Sequence, residues 1–219
     1  MNRLAIFDCD GTLVDSQANI CLAMEDCFAR AGFAAPERAR ARRVVGLSLV
    51  EAMQAMLPDD EPDTHLALAE DYKQAFHRLR GQGLVEEPLY EGVAELIEEL
   101  ESDGWLLGIA TGKSDRGLKL CLERHGLHRR FVTLQTADRH PSKPHPSMIE
   151  QALAEAGAGP ETTVMIGDTT FDMLMARAAG AAAVGVAWGY HDAQELSQAG
   201  AHYIARDPSE ITLFTKAFA

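Results

Sequence analysis

Apolar residues along this chain follow two rhythms. Short continuous runs, bounded by polar or glycine-containing turns, alternate with stretches in which apolar positions recur every three or four residues. The first rhythm marks buried strands of a parallel sheet, the second amphipathic helices. Arg3-Leu4-Ala5-Ile6-Phe7 is the first such run and stops against Asp8 and Asp10. Further strands are predicted at 105–110, 131–134, 163–166 and 182–187, with Tyr203-Ile204 as an edge piece. Between them, Val93, Leu96, Ile97 and Leu100 share one helix face, Ser114 is placed to cap a helix through Leu118 and Leu122, and Met148, Ile149, Ala152 and Leu153 share another face. A last helix runs through Leu174 and Ala178 to Gly180.

One block breaks the alternation. Residues 16–83 contain no strand-like run and read as helical throughout. A helix capped by Asp15 or Ser16 carries Ile20, Met24, Cys27, Phe28 and Ala31 and stops at Gly32. The segment 36–60 is rich in Arg, Ala and Met and breaks at Gly46. Thr64 is predicted to cap a helix bearing Leu68, Tyr72, Phe76 and Leu79, which Gly81 and Gly83 end. The expectation is an α/β, Rossmann-like parallel-sheet core made of residues 1–15 and 84–219, with residues 16–83 inserted as a helical cap over the sheet's active edge.

Composition narrows the function classes. A formal net charge of -13 repels nucleic acid and anionic membranes. An anionic substrate must then be drawn in by a locally positive site. The four cysteines, Cys9, Cys21, Cys27 and Cys121, contain no C-x-x-C pair, which argues against zinc ribbons and thiol redox motifs. Free thiols fit a reducing cytoplasm. The run 4–7 is too short for a secretory segment, and no stretch approaches the roughly 18 apolar residues of a membrane helix. A cytoplasmic protein acting on a small phosphorylated metabolite is expected.

Ligands of open α/β sheets bind beyond the carboxyl ends of the strands. Four strand ends here deliver chemistry to that edge: Asp8 and Asp10, Thr111-Gly112, Lys143 in a turn beyond 131–134, and Gly167-Asp168. Phosphate monoesters resist attack because the dianion repels nucleophiles. Hydrolysis needs a nucleophile, positive charge around the phosphoryl oxygens and an acid for the leaving group. Asp8 suits the nucleophile and Asp10 the acid, later the base for water. A hard Mg²⁺ suits Asp8 and Asp168, Lys143 offsets charge, and Thr111 with the Gly112 N–H can hold phosphoryl oxygens. Four ionised acids (Asp8, Asp10, Asp168, Asp172) against Mg²⁺ and Lys143 leave one excess negative charge. A proton on Asp10 removes it, and like-charge crowding is the expected reason for that proton.

The run Phe7-Asp8-Cys9-Asp10-Gly11-Thr12-Leu13-Val14-Asp15-Ser16 resembles the first motif of the haloacid dehalogenase superfamily. Thr111-Gly112 resembles its second motif, Lys143-Pro144 its third, and Gly167-Asp168-Thr169-Thr170-Phe171-Asp172 its fourth. The cap position resembles that of the phosphoglycolate phosphatase-like subgroup. The resemblance implies Mg²⁺ dependence, an aspartyl-phosphate, a metal contact from the main-chain carbonyl of Asp10, and Asp172 positioning Lys143 or a metal-bound water. It also implies 2-phosphoglycolate as the ester. Dehalogenases of this superfamily lack the second acid and its transport ATPases carry Thr there, so Asp10 points to a phosphatase or a sugar-phosphate mutase. A pyrophosphatase and a non-catalytic phosphate-binding module are the further alternatives. The departures are Cys9, where a bulky apolar residue is usual, and Gly112-Lys113, where Asn-Lys is common.

Other residues have plainer readings. Arg38, Arg40, Arg42 and Arg43 crowd the expected cap; most read as a solvated helix face, with Arg43 the one expected to contact a substrate carboxylate. His125, His128, His140 and His145 lack the spacing of a metal site. Cys9 reads as a buried inert thiol, and the eight methionines as core filler.

Overall fold

In the computed structural model, which describes residues 1–218, β1 (Asn2–Phe7) is flanked by β2 (Trp105–Thr111) and β4 (Ala158–Gly167). Outside them lie β3 (Thr133–Thr136) on one side, and β5 (Ala182–Val186) and β6 (Tyr203–Ala205) on the other. All five pairings are parallel and the order is β3-β2-β1-β4-β5-β6. The winding reverses between β1 and β4, which makes the carboxyl ends of β1, β2 and β4 the natural ligand edge. The predicted α/β parallel-sheet architecture is present.

Burial on both faces explains why these strands read as unbroken apolar runs. One face of the sheet contributes Ala5, Phe7, Leu107, Ile109, Val164, Ile166 and Val184 to a core shared with α5 (Val93–Ser102), α6 (Asp115–Arg124) and α10 (Pro208–Ala217). The other contributes Leu4, Ile6, Ala110, Met165 and Ala183 to a core with α7 (Ser147–Ala156), α8 (Thr170–Ala178) and Leu196 of α9 (Ala193–Gln198). A fully buried side chain such as Phe7 stabilises by about 1.5–3 kcal/mol. The short α9 and the terminal α10 were not predicted from the sequence.

Residues 16–83 form α1 (Gln17–Arg30), α2 (Arg38–Arg43), α3 (Leu49–Met56) and α4 (Pro62–Gly81). Their apolar faces meet in a cluster of their own, with Met24, Phe28, Met53, Met56, Leu68 and Tyr72 buried. Gly46 breaks the chain between α2 and α3 with a left-handed φ of 97°. Every methionine except Met1 is buried, in keeping with a packing role.

Several local predictions shift for identifiable reasons. Helix α4 starts at Pro62 rather than after Thr64, because proline is favoured in a first helical turn. The strand predicted at 131–134 moves to Thr133–Thr136. Phe131 instead packs edge-on against Phe7, and the polar strand is tolerated because Thr133 and Gln135 both donate to Glu155 of α7. At the start of α1 the carboxylate of Asp15 accepts from the N–H of Gln17, while the hydroxyl of Ser16 turns away to Asp10. Among the described residues, no helix is long and apolar enough to cross a membrane.

Candidate active site

The turn after β1 places Asp8, then reverses at Gly11, whose φ of 81° suits glycine. A Cβ on Gly11 would also collide with the carboxylate of Asp168, as would one on Gly189. These two glycines leave the space in which Asp168, arriving from the end of β4, sits beside Asp8. The hydroxyl of Thr12 donates to Asp168 over 2.9 Å, and so does the N–H of Tyr190.

Asp8, Asp168 and Asp172 converge so that one carboxylate oxygen from each lies within 4.8 Å of the others, and all three are buried. Between them comes Lys143, itself fully buried, with Nζ 3.1 Å from Asp8 and 2.7 Å from Asp172. Asp172 does two jobs. One oxygen takes the Lys143 ammonium, and the other accepts from the N–H and hydroxyl of Thr169, closing the cap of α8. Helix capping and the Lys143 contact are therefore both present in one side chain.

Asp8 is held asymmetrically. Oδ1 accepts from the N–H of Cys9 at 2.6 Å and faces Lys143. Oδ2 is buried and has no hydrogen-bond partner among the described residues. Burial is the largest influence on this carboxyl and lifts it to about 7; Lys143 opposes that, while Asp172 and Asp10 add to it. Burial, then Asp8 and Asp172, push Asp168 well above the usual carboxylate range as well. Burial disfavours the Lys143 ammonium, but Asp172 and Asp8 outweigh it and hold its pKa above the ordinary lysine value.

A divalent cation fits this donor set. Two buried carboxyls forced towards their neutral forms are what a hard cation with oxygen ligands would relieve. Asp8 and Asp168 have lone pairs to offer. Both oxygens of Asp172 are already engaged by Lys143 and Thr169.

Asp10 goes elsewhere. Its carboxylate accepts from the hydroxyl of Ser16 and takes the ammonium of Lys113 at 2.6 Å. Its carboxylate lies outside the three-carboxylate group. Like-charge neighbours add to burial at Asp8 and Asp168. Lys113 continues to Glu87 at 2.8 Å, and Glu87 to Arg80 of α4 at 3.1 Å. Glu87 is fully buried; burial pushes its carboxyl up, but Lys113 and Arg80 prevail and hold it low.

A cavity of about 430 Å³ opens above Asp8 and Asp10, between the sheet edge and helices α1, α3 and α4. Thr111, Gly112, Lys113 and Ser114 line it, ahead of the first turn of α6. Ser114 caps that helix as expected, accepting from the N–H of Gly117. Gly112 lies under the α2–α3 turn, where an added Cβ would come within 2.7 Å of the Leu47 carbonyl oxygen and 2.9 Å of that of Gly46. Arg43 does not line the cavity. It is half-exposed and paired at 2.6 Å with Glu195 of α9, an acid outside the cavity.

His125 faces the main-chain carbonyl of Glu87, and His140 contacts Ser147 and Gln135. Cys9 is buried with its Sγ 3.9 Å from that of Cys121, and that contact together with burial pushes its thiol up. Sequence reasoning missed Lys113 and Glu87 as parts of the site. Lys113 directly follows Thr111-Gly112, a usable signal; nothing in the spacing of Glu86-Glu87-Pro88 marks Glu87.

With that geometry in place, comparison with known proteins is informative. The family profile of haloacid dehalogenase-like hydrolases matches residues 5–186. A probable phosphatase, IndB of Dickeya dadantii, is 37% identical over 96% of this chain and 92% of its own. A phosphoglycolate phosphatase of Vibrio parahaemolyticus is 28% identical over 95% and 94%. The crystal structure of a hydrolase from Pseudomonas syringae superposes with a TM-score of 0.87 at 27% identity, covering all of both chains.

Proposed function

The chain belongs to the haloacid dehalogenase-like hydrolases and is a phosphatase; from that premise we propose that it hydrolyses a small phosphate monoester through an aspartyl-phosphate on Asp8, with Mg²⁺ as cofactor. The observation that carries this reading is the oxygen Oδ2 of Asp8, a residue that lines the cavity: the oxygen is buried and has no hydrogen-bond partner among the described residues. A carboxylate oxygen left free at such cost suits a group reserved for a reaction.

Asp8, Asp168 and the main-chain carbonyl of Asp10 would hold the cation. Bound there, Mg²⁺ supplies the positive charge that lets a carboxylate approach a phosphate dianion. The protein's own residues do the rest. Oδ2 of Asp8 attacks phosphorus as the bond to the ester oxygen breaks. Lys143, held by Asp172, offsets the charge gathered on the phosphoryl group. The hydroxyl of Thr111 and the N–H of Gly112 take phosphoryl oxygens ahead of α6.

Asp10 gives its proton to the departing alcohol oxygen. It then takes a proton from the water that attacks the phosphoryl group, which frees Asp8 and inorganic phosphate. Residues 16–83 would act as a lid whose α2–α3 turn closes over Gly112 and excludes water. The relatives' names make 2-phosphoglycolate one candidate ester.

A panel of phosphate esters, assayed with wild type and Asp8→Asn with and without Mg²⁺, tests the reading. Turnover should require both the cation and Asp8. Equal turnover by Asp8→Asn would remove the nucleophile from the account.

A further inference from the structure

The cavity holds more than a phosphate and two carbons. At about 430 Å³ it falls within the roughly 300–1,000 Å³ of sites that bury a drug-sized ligand. Its walls are largely apolar. Ile20, Met24, Val45, Leu47 and Phe76 line it from the helical block and Leu120 of α6 from the core. An apolar wall next to the scissile bond favours an uncharged body and penalises a buried carboxylate.

The cations in the lining sharpen the point. Lys113 is shared between Asp10 and Glu87, and Arg80 is bound to Glu87. Lys73 lies 3.6 Å from Glu70, with both side chains largely exposed. Only Arg116 and His77 line the cavity with no acidic partner among the described residues, and both are exposed. A carboxylate two carbons from phosphorus would lie deep, beside Asp10, where every cation is already matched. Polar groups at the far end of a longer molecule would instead reach Gln74, His77 and Arg116.

We propose that the ester this site is shaped for carries an uncharged, ring-bearing alcohol of nucleoside size, and that 2-phosphoglycolate is a poor substrate. The inference rests on the phosphatase reading above: phosphate lies at Asp8, the ring against the apolar walls, and the ring's polar edge at the exposed mouth. Stacking and apolar contact with Leu47, Phe76 and Leu120 then supply the binding that the matched cations do not.

The test compares kcat/KM in Mg²⁺ for adenosine and uridine 5′-monophosphates, 2-phosphoglycolate, glycerol 3-phosphate and acetyl phosphate. At least one nucleoside ester should exceed 2-phosphoglycolate by about ten-fold or more, the discrimination a few apolar contacts provide. Leu120→Ala and, from the opposite wall, Phe76→Ala should each lower the ratio of nucleoside to glycolate kcat/KM, chiefly through KM. A folding defect would lower both substrates alike, and thermal melts check it separately. A panel led by 2-phosphoglycolate, or a ratio unmoved in both variants, overturns the inference. Absence of Mg²⁺-dependent turnover on every ester, acetyl phosphate included, overturns instead the phosphatase mechanism beneath it.

Discussion

The ammonium of Lys113 stands 2.6 Å from a carboxylate oxygen of Asp10. It fixes the proposed acid from a loop on a different strand, and through Glu87 it ties that acid to Arg80 on the helical block. Replacing Lys113 by Met leaves the fully buried Glu87 short of a partner, and losing one member of a buried pair costs about 3–5 kcal/mol. Chemical denaturation should show that loss in Lys113→Met and less of it in the double variant with Glu87→Gln. Strict additivity of the two changes would mean that the pair is not coupled.

Glu87 also makes a pH prediction. Its carboxyl is held below the ordinary value of 4.5 in the folded protein, so the unfolded chain binds more protons in that window. Its contribution to stability is complete above 4.5 and is lost as pH falls through the lower, folded value. Glu87→Gln should therefore flatten the acid side of the stability profile. An unchanged acid limb would place the sensitivity on other carboxylates.

Asp8 behaves in the opposite sense. Its carboxyl is raised from 3.8 to about 7, so the metal-free fold keeps a proton that the unfolded chain has released between those values. Asp8 thus lowers stability as pH rises through that window, and a cation must displace its proton to bind. Apparent Mg²⁺ affinity, read as the Mg²⁺-induced rise in melting temperature, should weaken by up to about ten-fold per pH unit below 7, the limit for one displaced proton. Asp8→Asn should weaken that dependence, leaving the part that Asp168 carries. A pH-independent Mg²⁺ effect in wild type would contradict the assignment of Asp8 as a ligand.

Gly112→Ala tests how closely the helical block must seat. The added methyl would press on the carbonyls of Gly46 and Leu47. Overpacking of this kind costs about 1–3 kcal/mol. Activity should fall with a raised KM, because the turn over the phosphoryl site is pushed away. Wild-type kinetics in this variant would show that the turn is free to move without consequence.

Arg43→Ala should do little. The Arg43–Glu195 pair is a solvent-screened surface contact. KM should change equally for carboxylated and neutral esters. A selective loss on carboxylated esters would restore Arg43 to substrate recognition.

The pattern of apolar runs was enough to read the sheet, because strands buried on both faces leave an unbroken signature. It was not enough for β3, where Thr133 and Gln135 are buried by pairing with Glu155, a contact between segments far apart in sequence. The residues at the strand ends were legible for a related reason: Asp8, Thr111 and Asp168 each directly end or follow a strand. Lys113 and Glu87 were not, since their importance comes from an ion pair that joins distant segments. The surroundings of Arg43 were not legible either. An arginine-rich stretch gives charge without direction, and only folding reveals that Glu195 meets it.

The most direct measurement of the central claim is to capture the bond between Asp8 and phosphorus. A rapid acid quench during turnover, followed by borohydride reduction and peptide mass spectrometry, would convert an acyl phosphate at position 8 into the corresponding alcohol. Wild type should show that reduced residue at position 8 in the presence of substrate and Mg²⁺, and Asp8→Asn should not. Sustained turnover with position 8 unmodified at every quench time, and the label carried by another residue, would contradict the account.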